Sequence, residues 1–168
     1  DVWKNINNLT IREQITITTY IVNYINPDFT PAYIVRGDAY FTNKDYIEAL
    51  QDYTTAIEQQ PNNAEIYYKR GLTYNYLKDF YSNAINDFKQ ATDLNNNIAN
   101  FWAEYSYALK FSHYGADEML AKAIAINPQY KNFNYNELEQ QRTTIVYSSA
   151  LEKALFYSYI GNYLLADK

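Results

Sequence analysis

A single histidine, His113, stands in the stretch Phe111-Ser-His-Tyr-Gly-Ala-Asp117. Serine, histidine and aspartate together can make a nucleophilic hydrolase, in which the imidazole takes the serine proton and the carboxylate orients the imidazole. Here Ser112 and His113 are adjacent on a joint between elements, and that spacing cannot give the required line of hydrogen bonds. Asp45, Glu48 and Asp52 recur at helical spacing and could line up as carboxylates. With Lys44 beside them, they read as a helix start and an exposed face. Asp93-Leu-Asn-Asn-Asn97 offers oxygen ligands without the spacing or the turn glycine of a calcium loop. The four glycines are never grouped as a phosphate-cradling loop. The chain has no cysteine, which removes thiol nucleophiles, disulfides and cysteine zinc sites. No catalytic residue, cofactor or metal ligand is expected, so the chain is read as no enzyme.

Tyrosine dominates instead, at 20 of 168 residues, and Tyr67–Tyr76 alone places four in ten. Such rings suit contact recognition rather than bond making. Asn and Ile are also abundant, as an A- and T-rich genome would dictate, so the positions of the tyrosines carry more than their number. The formal charge of -5 opposes nucleic-acid binding and docking on anionic lipid. No run of about 18 apolar residues exists, so no membrane insertion is expected. Cytoplasmic localisation is expected. An exported form stays open, because the chain opens on Asp1 rather than Met and a leader would have been removed.

The positions repeat. Tyr33, Arg36, Gly37 and Tyr40 return as Tyr67, Arg70, Gly71 and Tyr74, 34 residues on. Ala49, Tyr53 and Ala56 return as Ala84, Phe88 and Ala91, 35 residues on. This pattern resembles the tetratricopeptide repeat: a large aromatic, a small residue and Tyr, then Ala, an aromatic, Ala and a closing Pro. Arg36 and Arg70 stand where the family has Leu, and Asn96 stands where the second unit would close on Pro. Trp102, Ser106, Leu109, Ala116, Leu120, Ala123 and Pro128 make a degenerate third unit with a shortened connection. Gly37 and Gly71 lie inside helical segments, at about 1 kcal/mol each relative to Ala, as a close helix approach would require. Ala49 and Ala84 serve the same approach from the facing helix. Pro61 and Pro128 end helices.

The resemblance implies an all-α fold, a right-handed superhelical solenoid of antiparallel helix pairs with about nine or ten helices. One array over residues 1–168 is expected. It comprises a partial repeat at 1–29, repeats at 30–62 and 63–96, a degenerate repeat at 97–129, and irregular C-terminal helices with a partial repeat at 130–168. Val2–Leu9 and Ile15–Pro27 read as the two helices of the first, partial unit. Further on, Asn136 with Glu139 reads as a capping box, as does Ser149 with Glu152. These signals predict helices near 136–147 and 150–166, or one long bent helix.

At about 100° per residue, Tyr67, Gly71 and Tyr74 share a core face. Asn75, Tyr68, Leu72 and Tyr76 follow at roughly 80°, 100°, 140° and 180°, forming a second face. In the family the first helices of successive units line the concave wall where partners bind. The resemblance therefore implies a groove built from Tyr68, Leu72, Asn75 and Tyr76. The preceding unit would add Ile34, Asp38 and Phe41, with Thr42, and the third unit Tyr107, with Ala103, Lys110 and Phe111. Lys69 and Arg70 flank it, either to hold a carboxylate or to close internal ion pairs. Ile34, Asp38, Tyr68 and Leu72 stand where co-chaperones of the family place basic and amide groups, which argues against chaperone-tail binding. The expected partner is a protein or peptide segment held in an aromatic groove. The alternatives are a structural or oligomerisation segment of a larger assembly or envelope protein, dimerising through terminal helices, and a regulatory domain cut from a longer enzyme.

Overall fold

The computed structural model describes residues 2–77, 80–111 and 115–141. A 3-10 segment, Val2–Asn8, leads into α1, Ile11–Tyr20, which continues as one π-helical turn, Ile21–Ile25. Then follow α2 (Thr30–Thr42), α3 (Tyr46–Gln59), α4 (Ala64–Tyr76), α5 (Tyr81–Leu94), α6 (Ala99–Lys110) and α7 (Ala116–Ile126). A 3-10 segment, Pro128–Asn132, precedes α8, Tyr135–Gln141. No strand occurs among the described residues. The most extensive contacts join α2 to α3, α4 to α5 and α6 to α7, the antiparallel pairs of a helical solenoid. The helices expected beyond residue 141 lie outside the described residues.

Among the described residues, the helical glycines Gly37 and Gly71 mark close approaches within pairs. A Cβ on Gly37 would fall 2.7 Å from a ring carbon of Tyr53, and one on Gly71 would fall 3.0 Å from Phe88. Ala49 and Ala84 are fully buried on the facing helices. Three joints between pairs share one device, and the joint from α3 to α4, which ends on Gln60 before Pro61, does not. Asn26, Asn95 and Asn127 end a helix in extended conformation. Each side-chain oxygen then accepts the N–H two residues on, at 3.0, 3.2 and 3.0 Å. Because Asn95 makes this turn itself, Asn96 can replace proline at the second joint. Position 44 turns the chain between α2 and α3 at φ 69°, and Gly115 does so before α7 at 83°.

Arg36 and Arg70 form a polar seam through the interior. Arg36 Nε and Nη2 donate to both oxygens of Asp52 at 2.8 and 2.7 Å, while Nη1 reaches Thr19 at 3.2 Å. Arg70 repeats this with Asp87 at 2.9 and 2.9 Å and with Thr54 at 2.9 Å. Asp52 is therefore buried and paired, not part of an exposed acidic face, because a guanidinium from the facing helix claims it. The seam runs through α1, α2, α3, α4 and α5. It stops where Tyr105 takes the arginine place. The start of α8 also differs from expectation: Asn134, not Asn136, accepts the N–H groups of Asn136 and Glu137 at 3.0 and 3.4 Å. The Ser149 signal lies outside the described residues.

Candidate functional site

The wall is built from α2, α4 and α6, and the neighbours of α4 decide which of its residues it offers. Towards α6, Tyr68 stacks on Phe101 at 4.7 Å, and Asn75 Nδ2 donates to the Glu104 carbonyl and carboxylate at 3.3 and 3.1 Å. Towards α2, Tyr76 meets Phe41 edge-on at 5.0 Å, and Lys69 Nζ donates to both oxygens of Asp38 at 2.9 and 3.0 Å. On the helical wheel, the positions near 80–100° thus face the next first helix, and those near 180–200° face the previous one. The strip between them faces neither neighbour. On α4 it holds Leu72 and Glu65, and on α2 it holds Asp38.

This narrows the expected groove. Asn75 is fully buried between α4 and α6, and its side-chain oxygen has no hydrogen-bond partner. Tyr107 is also fully buried: its hydroxyl donates to Glu139 of α8 at 2.6 Å. Neither offers a surface to a partner, because in each case the following first helix covers it. Ala103 is buried in the same way. Ile34, Phe41, Tyr68, Leu72 and Tyr76 stay half-buried, each with part of its side chain on a hydrophobic core and part open. Phe111, 40% exposed, stacks on Tyr81 at 4.6 Å. Thr42 and Lys110 are exposed, and the Lys110 ammonium lies 5.4 Å from the Tyr135 ring centre.

The charged members hold one another. Asp38 also accepts the Tyr53 hydroxyl at 2.7 Å, and burial, with Asp38 alongside, pushes that phenol far above its ordinary pKa. Glu65 stands 4.0 Å from Lys69, one turn before it on α4. Arg70 points into the seam, not onto the wall. Glu65 is a wall residue that sequence reasoning missed, although the helical wheel puts it on the open strip, and Tyr53, buried on α3, supports the wall from beneath through Asp38. Of the Ser112-His113-Asp117 group, Ser112 and His113 lie outside the described residues. Among the described residues, no three carboxylates or imidazoles gather as metal ligands, and no helix is long and apolar enough to cross a membrane.

Comparison with known proteins agrees with the helix pairs. Residues 37–75 match the TPR repeat and residues 64–98 the tetratricopeptide repeat. The chain is 37% identical over 51 residues to Superkiller complex protein 3 of Mus musculus, covering 30% of this chain and 3% of that protein. It is 40% identical over 63 residues to DnaJ homolog subfamily C member 7 of Mus musculus, covering 38% and 13%. The match therefore takes in only a small part of either relative. Among solved structures, the fold is similar to MamA, with a TM-score of 0.66 at 17% identity over 77% of this chain and 71% of that one. It is also similar to the first TPR of Spaghetti (RPAP3) bound to the HSP90 peptide SRMEEVD, with a TM-score of 0.54 at 22% identity over 66% and 90%. The repeated Tyr–Gly–Tyr and Ala–aromatic–Ala residues, the glycine approaches they make, and both family matches converge: residues 37–98 carry tetratricopeptide repeats.

Proposed function

We propose that the chain is a non-enzymatic scaffold that holds a protein segment along the wall of α2 and α4. One observation carries this reading. Ile34, Phe41, Leu72 and Tyr76 present half-open apolar surface from two adjacent helices whose side chains are already locked by internal contacts. A wall fixed in advance loses little side-chain freedom on binding. Concave walls of stacked helix pairs are extended binding surfaces, and the fold neighbour RPAP3 is bound to a short peptide. The acidic sequence of that peptide is not carried over, because Lys69 is already paired here.

The test is to select peptides from a displayed library on the full chain. Their affinity is then measured against Ile34→Ala and Leu72→Ala variants, at a temperature where circular dichroism shows each folded. A loss of about fivefold or more is expected, from apolar contact worth roughly 1 kcal/mol per truncated side chain. Unchanged affinity in both variants would end the reading. Alanine at Tyr68 and Tyr76 is a poorer test than the sequence suggests, since both rings pack between helices and their loss would also cost stability.

A second reading rests on a different patch. Tyr20, Tyr24 and Ile25, on α1 and its π-helical turn, are 57%, 76% and 65% exposed. Such a patch suits a structural segment that assembles through its first helix. Light scattering after size exclusion would show a concentration-dependent dimer that Tyr24→Ser returns to monomer. A monomer at all concentrations would remove this reading.

A further inference from the structure

On the reading that the α2–α4 wall is where a partner lies, we infer that Asp38 sets the charge of that partner. The strip takes an apolar segment bearing lysine or arginine and refuses an acidic one. The geometry is one ammonium shared by two carboxylates. Lys69 Nζ lies 2.9 and 3.0 Å from the oxygens of Asp38, and 4.0 Å from Glu65. The Asp38 and Glu65 side chains are 43% and 54% exposed, whereas that of Lys69 is 24% exposed. An arriving segment therefore meets the carboxylates before the ammonium.

Asp38 is not free to swing aside. Its Oδ1 also accepts the hydroxyl of Tyr53, whose ring is buried under Gly37. Moving the carboxylate to admit a ligand carboxylate would leave that buried hydroxyl without its acceptor. The incoming anion would also stand within a few ångströms of two like charges. A cation on the partner meets the opposite situation: two exposed carboxylates, with half-open Leu72 and Ile34 beside them for the apolar part. The formal charge of -5 on the whole chain adds steering of the same sign. Specificity here comes from a repulsive element built into the wall as well as from an attractive one.

Two fluorescein-labelled nonapeptides test this. They share their Leu and Phe positions and differ in carrying three Lys or three Glu. Anisotropy on the full chain should show the Lys peptide binding about tenfold tighter at about 50 mM salt, with the gap shrinking at about 300 mM. Asp38→Asn keeps an oxygen acceptor for Tyr53 while removing the charge, and should cut the preference to about twofold or reverse it. Glu58→Gln removes the same charge from an exposed position on α3 and should leave the preference intact. Equal binding of both peptides by the unaltered chain overturns the inference and spares the groove. So does a preference that Asp38→Asn leaves unchanged, or one that Glu58→Gln lowers as much. Binding of neither peptide overturns the groove and the inference together.

Discussion

The helices α2–α5 and the helices α6–α7 perform the same packing with different chemistry. In the first set, each first helix sends an arginine between its partner and the preceding helix, and each keeps a glycine where an aromatic ring of its partner crosses. In the second, Tyr105 stands in the arginine place and Ser106 in the glycine place. Lys122 from α7 instead puts its ammonium 4.6 Å from the centre of the Trp102 ring. The difference shows that the solenoid needs a filled interface at these positions, not a particular pair. An ion pair satisfies it in the first set, and Tyr105, packed against a hydrophobic core cluster, satisfies it in the second.

The largest effect that would break this comparison is Arg70→Ala. It strips the buried Asp87 of its cation and leaves Thr54 without its donor, at an expected cost of about 3–5 kcal/mol in urea unfolding. Met119 follows Ala116 on α7 as Asp87 follows Ala84 on α5, so adding Asp87→Met in an Arg70→Tyr background imitates the residues of the third pair and should recover most of that loss. If the double variant is as unstable as Arg70→Ala, the two chemistries are not equivalent.

Next comes Gly37→Ala. The added methyl meets the Tyr53 ring at 2.7 Å, so overpacking should outweigh the gain in helix propensity. A net loss of about 1–2 kcal/mol is expected by thermal unfolding. Gly71→Ala, with 3.0 Å to a ring edge, should lose less.

Alkali gives a smaller, graded test across both regions. Burial raises the phenols of Tyr40, Tyr53, Tyr105 and Tyr130. The folded chain keeps these protons after an unfolded chain would release them. Stability should therefore fall as pH rises above the ordinary tyrosine value of about 10. Tyrosinate absorbance from these rings should appear together with the loss of helical signal; its appearance in a fully helical chain would contradict the burial.

The smallest effect belongs to the third pair. Lys122→Ala removes an exposed cation–π contact and should cost less than about 1 kcal/mol, followed by tryptophan fluorescence in urea.

The helix pairs were legible because Tyr, Gly and Ala recur at positions where geometry tolerates little else. The wall was legible only in outline. A helical wheel places Tyr68, Leu72, Asn75 and Tyr76 on one face. How much of that face a neighbour covers depends on the next first helix, which belongs to a different unit. That is why Asn75 and Tyr107 turned out to be interior. Asp52 was misread for a related reason: its partner Arg36 lies on another helix, and local spacing with Asp45 and Glu48 suggested a surface. The recurrence of Arg36 with Asp52 as Arg70 with Asp87 was the signal that could have found the seam.

Each rung of that seam draws its threonine from the unit before it. Thr19 serves Arg36 and Thr54 serves Arg70, but the residue in that place on α5 is Lys89, which would repel a guanidinium. The units therefore carry their order within them. A duplication or shuffle that set a copy of α4 behind α5 would bring two cations together and would need the rung at that junction rewritten, whereas a copy of α2 and α3 set behind α3 would find Thr54 already in place.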